Sequence, residues 1–264
     1  MNFQEILNYK NIAIQASKNS SEILLKRFSE VSTINKWEKS QNALVTEADI
    51  ESDDAIISIL SKTNNNILSE ESLHKEKNSD LTWLIDPLCG TVPFSLGMSH
   101  WGTNIALHGK NELLMGLVTL PLSNEYIFAA KGYGVELNGN ILNSFSPYKE
   151  LSRATIALEI DGGDAWKKLI KSELQWISSV GQVNSFSSVS YPIAQLCLGR
   201  LGGAVFYGIE SVHIAAGAII SEESGMKVSD EKNNPIDWNN NLEKHIVIIA
   251  WPNIHEQLLD KIAN

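Results

Sequence analysis

The sequence predicts a mixed α+β protein, and three features of the 264-residue chain predict it. Apolar residues recur at helical spacing from Ile6 to Phe28. Short apolar segments punctuated by Gly, Asn and Pro follow Trp101 and read as an antiparallel sheet. Beyond a polar stretch at 143–151, strand and helix patterns alternate to the end.

In order, the first helix carries Ile6, Ile12, Ile14, Ala16, Ile23, Leu24, Leu25 and Phe28 on its apolar side, with the polar patch 17–21 turned outward. A basic, polar connection spans 36–41. Thr46 followed by Asp49 is a helix-start box, and the second helix runs to about Lys62. Ile67 and Leu68 form a short strand, the charged loop 74–80 follows, and 83–86 is a buried strand. Strands are then expected at 103–107, 113–120, 126–130 and 134–137. The polar stretch at 143–151 divides the chain into an N-terminal α+β subdomain, 1–147, and a C-terminal α/β subdomain, 148–264. In the second, strands are expected at 154–158, 176–180, 204–207 and 246–250, and helices near 165–171, 189–199, 211–223 and 254–262.

A hydrophobic content of 43% suffices for a sizeable core. Twenty-one Lys+Arg against 31 Asp+Glu give a formal charge of -10, which argues against nucleic acid or an anionic membrane as the main partner and favours a small molecule. Met1 to Glu5 lack the basic start of a secretion signal, and no apolar run approaches the roughly 20 residues that span a bilayer, so a cytoplasmic protein is expected. Two cysteines, Cys89 and Cys197, fit no disulfide framework; Cys197, in an apolar helical pattern, reads as a buried, inert thiol.

The chemistry centres on residues 83–94, Trp-Leu-Ile-Asp-Pro-Leu-Cys-Gly-Thr-Val-Pro-Phe, where a strand ends in Asp86, Pro87, Cys89 and the Gly90-Thr91 turn. Alone, Glu70-Glu71 would be solvated surface acids and Asp49 a helix cap. Their order with Asp86 and Thr91 resembles the metal-site order of the inositol monophosphatase superfamily, whose signature is D-P-x-D-G-T-x-N-F. The stretches 101–107, 116–121, 129–134, 137–139 and 194–200 follow the same family order.

The resemblance implies a layered α-β-α-β-α sandwich, commonly a homodimer, hydrolysing a small anionic phosphate ester. It implies that Glu70, Asp86 and the Leu88 carbonyl hold divalent metal, a hard oxygen set suited to Mg²⁺. It also implies that Asp49 and Thr91 guide the attacking water, with the Gly90-Thr91 turn beside the substrate. Two family ligands are replaced: Cys89 stands for the second aspartate of the signature, and His213 for the aspartate of the later W-D-x-A-A-G motif. Two divalent ions about 4 Å apart repel by roughly 16 kcal/mol at an effective dielectric of about 20, so a site with two fewer acids keeps one ion more readily than two.

Cys89 and His213 can act as ligands, giving a softer set for Zn²⁺ or Fe²⁺, or as a thiol nucleophile and its base. A third outcome is a non-catalytic protein that binds a phosphorylated metabolite. Inositol-selective relatives carry an acid seven residues before the W-D aspartate; Phe206 stands there. Phe206, Tyr207 and Tyr191 either pack the core or face a planar or apolar group, and Arg200 either pairs with a substrate anion or serves structure.

Overall fold

Asn2 and Glu5 exchange backbone and side-chain hydrogen bonds as a capping box, and α1 (Phe3–Ser29) starts there. The structure, a computed structural model, describes residues 1–40, 43–161, 173–239 and 245–262. A hairpin follows, β1 (Lys36–Ser40) with β2 (Ala43–Thr46), where the sequence suggested a plain connection at 36–41. Lys-Trp-Glu-Lys-Ser has too little apolar content to read as a strand, and its pairing comes from its antiparallel partner. α2 (Glu47–Leu60) begins at the Thr46 box and is fastened to α1 by an Arg27–Glu51 ion pair and by Ser20 against Ser52 at 2.7 Å; Ser17 and Ser20 are buried, where the sequence suggested an outward polar patch at 17–21.

The first sheet has seven strands in chain order: β3 (Asn66–Ser69), β4 (Thr82–Cys89), β5 (Gly102–His108), β6 (Leu113–Leu120), β7 (Glu125–Ala130), β8 (Val135–Leu137) and β9 (Asn140–Ile141). Only β3 and β4 run parallel. Between β4 and β5 lies the short α3 (Thr91–Ser95).

The second sheet has the order β11-β10-β12-β14-β13, with β10 (Thr155–Ile160), β11 (Gln182–Asn184), β12 (Gly203–Ile209), β13 (Lys227–Ser229) and β14 (His245–Ala250). Among the described residues its helices are α4 (Ser190–Cys197), α5 (Ser211–Glu223) and α6 (Pro252–Ile262). The strand expected at 176–180 is a 3₁₀ turn, Gln175–Ser179, where buried Trp176 donates its indole N–H to the Tyr207 hydroxyl at 2.9 Å. β-branched content there mimics a strand, but the indole anchors a turn. The helix expected near 165–171 lies outside the described residues.

Side-chain alternation stacks these elements in five layers. Trp83 and Ile85 of β4 pack with Ile6, Ala13, Ala16, Ile56 and Leu60 of α1 and α2, while Leu84 faces Ile214, Ala215 and Ala218 of α5. On β12, Ala204 and Phe206 join the α4–α5 side, and Val205 and Tyr207 pack with Ile254 and Leu258 of α6. The order is α1/α2, first sheet, α4/α5, second sheet, α6.

α5 seats closely on the first sheet. A Cβ on Gly116 of β6 would stand 2.5 Å from the Ala216 carbonyl oxygen. At its far end, the Glu223 carboxylate accepts the Gly132 and Gly134 amides at 2.8 and 2.9 Å. Among the described residues no helix is long and apolar enough to cross a membrane.

Candidate active site

Three polar groups converge at the end of β4. Asp86 pairs with Asn104 of β5, and the register slips before Cys89 pairs with Gly102, so three steps on β4 match two on β5 and the backbone kinks around Pro87. Glu70 follows β3, and its amide donates to the Ile85 carbonyl at 3.1 Å. His213 lies in the first turn of α5; its Nδ1 is 2.8 Å from Asp86 Oδ2 and 3.8 Å from Glu70 Oε2. One ligand atom from each of Glu70, Asp86 and His213 falls within 4.8 Å of the others.

Sequence reasoning missed two supports of this cluster. Asp53 accepts the Ser69 hydroxyl at 2.6 Å and that of Ser72, and so ties both ends of the turn bearing Glu70 and Glu71 to α2. Asn104 donates its side-chain amide to the His213 carbonyl at 2.8 Å. Asp53 stands one helical turn after Asp49, which was its available signal. Burial opposes a charge on His213, but Glu70, the hydrogen bond to Asp86, the Asp86 charge and Asp161 outweigh it and push its pKa up to about 10. Asp86 Oδ1 is buried with no hydrogen-bond partner among the described residues.

Beside this cluster lies a second pair. Thr91 Oγ1 donates to Asp49 Oδ1 at 2.8 Å and approaches the Leu88 carbonyl at 3.2 Å. The other Asp49 oxygen accepts the Thr46 amide at 2.8 Å and its hydroxyl at 2.6 Å, so the helix-start box also orients this carboxylate. Gly90 makes the turn at φ +104°, and a Cβ there would stand 2.7 Å from the His100 carbonyl oxygen, so only glycine fits.

The structure bears on three readings that the sequence left open. Cys89 is not paired with His213: its buried Sγ accepts the Val189 and Ser190 amides at 3.1 and 3.3 Å, with the Ser188 hydroxyl at 3.7 Å. Burial and the nearby Asp86 charge raise its pKa well above the ordinary thiol value, the reverse of what a nucleophile or a thiolate ligand requires. Phe206 is fully buried in β12 and packs the core rather than a substrate. Arg200 is exposed beyond α4 and donates to Gln195 at 2.8 Å, a local structural bond.

The donor set could hold a single divalent ion, since two carboxylates and one imidazole each offer a ligand atom within 4.8 Å of the others. With Cys89 turned away, the set is oxygen-rich with one nitrogen, compatible with Mg²⁺ or Mn²⁺ and with Zn²⁺ or Fe²⁺. The Leu88 carbonyl lies at the same strand end.

Known proteins resemble this chain along nearly its whole length. The model of the inositol monophosphatase family matches residues 6–264. A Nus factor SuhB of Pasteurella multocida is 29% identical over 261 residues, covering 96% of this chain and 94% of that protein. An inositol-1-monophosphatase of Caulobacter vibrioides is 25% identical over 257 residues, covering 94% and 98%. The crystal structure of the extragenic suppressor protein SuhB from Bartonella henselae superposes with a TM-score of 0.87 at 22% identity, covering 97% of this chain and 98% of that one. Matched along nearly its whole length, the chain belongs to the inositol monophosphatase family.

Proposed function

We propose that this chain is a metal-assisted phosphomonoesterase acting on a small phosphorylated metabolite, with Glu70, Asp86 and His213 holding one divalent ion. The observation that carries the reading is the hydrogen-bonded Asp49–Thr91 pair at the same strand end as the carboxylate–imidazole cluster. When bound, such an ion polarises the phosphoryl oxygens and lowers the pKa of a coordinated water.

The chain's own groups supply the rest. Because the Thr91 hydroxyl gives its hydrogen to Asp49, its lone pairs are left to accept from a water aimed at phosphorus. Asp49 takes up the proton as the new P–O bond forms, and the ester oxygen leaves with a proton from solvent. Gly90 lets the turn approach the substrate without a side chain. The protein is further proposed to be a cytoplasmic homodimer, a reading supported by family membership and testable by light scattering.

A second reading, a non-catalytic binder of phosphorylated metabolites, is favoured by the direct Asp86–His213 bond and by the inward Cys89 sulfur, which together depart from the family's oxygen-rich second subsite. Phosphate release from a panel of monoesters with Mg²⁺, Mn²⁺, Zn²⁺ or chelator separates the two. Metal-dependent release, abolished by chelator and by Glu70→Gln, supports the enzyme. Saturable ligand binding without release under any metal supports the binder.

A further inference from the structure

Glu159 of β10 is a buried acid with no cation beside it among the described residues. It lies on the side of the second sheet that faces α4 and α5, with Phe206 of β12 as its register partner. Its Oε1 accepts the Phe186 amide at 2.7 Å and its Oε2 that of Ser188 at 3.4 Å, while the Ser187 amide between them acts on the same carboxylate. Ser187 stands at φ +53°, a left-handed step that gathers successive N–H groups into a concave cradle for an anion. Burying a carboxylate without a counter-ion opposes folding, so an apolar side chain would serve the core better.

The cradle belongs to the loop that grips the strand end. The Ser188 hydroxyl donates to the Cys89 carbonyl at 3.0 Å, and the next two amides, of Val189 and Ser190, reach the Cys89 sulfur. A Cβ on Gly90 would stand 3.1 Å from that of Ser188, so the loop also packs on the turn that presents Thr91. Contacts thus run from Glu159 through 186–188 to Cys89 and Gly90, and end on the hydroxyl bonded to Asp49.

We propose that Glu159 is a positioning residue for the strand-end site: its ionised carboxylate clamps the 186–188 loop onto Cys89 and Gly90 and so sets the direction of the Thr91 hydroxyl. The inference rests on the phosphomonoesterase reading for what Thr91 does there. Once protonated, the acid accepts more weakly and brings an O–H for which a cradle of donors has no acceptor, so the clamp relaxes. Burial places that event at about pH 7, against the pull of the amides. Among the described residues, β11 and 185–188 hold no ionisable side chain, α4 offers Tyr191 and the buried Cys197, and the Tyr207 of β12 faces α6. Asp161 follows on β10, His100 packs on Phe186, and Cys89 and His213 lie at the site itself; no charge among them acts appreciably on Glu159.

Two measurements on the full chain test it. In amide NMR spectra, the Phe186 and Thr91 resonances move together as pH falls through about 7, and in Glu159→Gln, which has no acid to titrate, both steps are absent. In steady-state hydrolysis of para-nitrophenyl phosphate with Mg²⁺, kcat falls about fivefold over the same interval with little change in KM, whereas Glu159→Gln keeps the lower kcat throughout. Replacing Mg²⁺ by Mn²⁺, which shifts the titration of an ion-bound water, leaves the midpoint in place. Should Glu159→Gln fail to fold, a shared midpoint of the two resonances and of kcat under both metals, in the unaltered protein, carries the test. If the ester is hydrolysed but the Phe186 and Thr91 resonances do not titrate together, or Glu159→Gln keeps the original pH profile, the clamp is overturned and the phosphatase stands. If both resonances titrate and Glu159→Gln abolishes the steps, but no ester is hydrolysed with any metal, the clamp stands and the phosphatase reading falls.

Discussion

Thr91 and Cys89, two residues apart, have opposite chemical fates. Thr91 keeps its oxygen toward the site and its hydrogen on Asp49. Thr91→Ala is therefore expected to lower kcat about 100-fold with a small change in KM, and Thr91→Ser to keep most of the activity, as steady-state kinetics would show. The Cys89 sulfur instead occupies the amides that open α4. Cys89→Ser preserves an acceptor and should retain activity within about threefold, which would exclude a thiol nucleophile. Cys89→Val leaves two amides without a partner and should cost about 1–3 kcal/mol in urea unfolding. Asp49 and Thr91 were legible through the family resemblance, because both stand in motifs that carry it and that each fold into one local turn. The direction of the Cys89 side chain was not, because an extra residue in β4 decides it and nothing in Asp-Pro-Leu-Cys marks where the register slips.

At the scale of elements, helices with caps and strands with clear alternation could be read directly, as α2 from Thr46 and Asp49 and β6 from its apolar run show. Elements defined by partners could not: β1 is polar, and the turn at Gln175–Ser179 exists because Trp176 reaches Tyr207. Close packing between elements was equally hidden, since a glycine in a strand does not announce what lies above it. Gly116 faces the backbone of Ala216 on α5. Gly116→Ala is expected to push α5 off the sheet, cost about 1–3 kcal/mol and lower the melting temperature by several degrees. Because His213 rides on α5, the same variant should weaken divalent-ion binding measured by calorimetry, whereas an unchanged ion affinity would mean that the helix accommodates the methyl without moving its first turn.

For the whole molecule, two buried groups set opposing responses to pH. His255, fully buried on α6 with Nε2 3.0 Å from the Ser229 hydroxyl, has its pKa pushed down to about 4 by burial and by the Lys227 charge, against a weaker pull from Glu256. The folded chain keeps it neutral while the unfolded chain takes up a proton near pH 6.5, so this contribution to stability is lost as pH falls from about 6.5 toward 4. Glu159, raised to about 7 by burial against the amides it accepts, works the other way: the folded chain takes up its proton first, which stabilises it as pH falls from about 7 to 4.5. His255→Gln should isolate the first effect. Its loss of unfolding free energy between pH 7 and pH 5 is expected to be smaller than that of the unaltered protein by about 2 kcal/mol, as urea titrations at the two pH values would reveal.

The seating of α5 has one further consequence. The helix is gripped at its tail by Glu223 on the β7–β8 turn and meets Asp86 of the first sheet through His213 at its head, while its flank packs against strands of the second sheet. A cation seated among Glu70, Asp86 and His213 would thus act as a rivet through the middle layer. Saturating the protein a hundredfold above its dissociation constant would raise the unfolding free energy by about 2.7 kcal/mol, so heat resistance would become a gauge of ion occupancy.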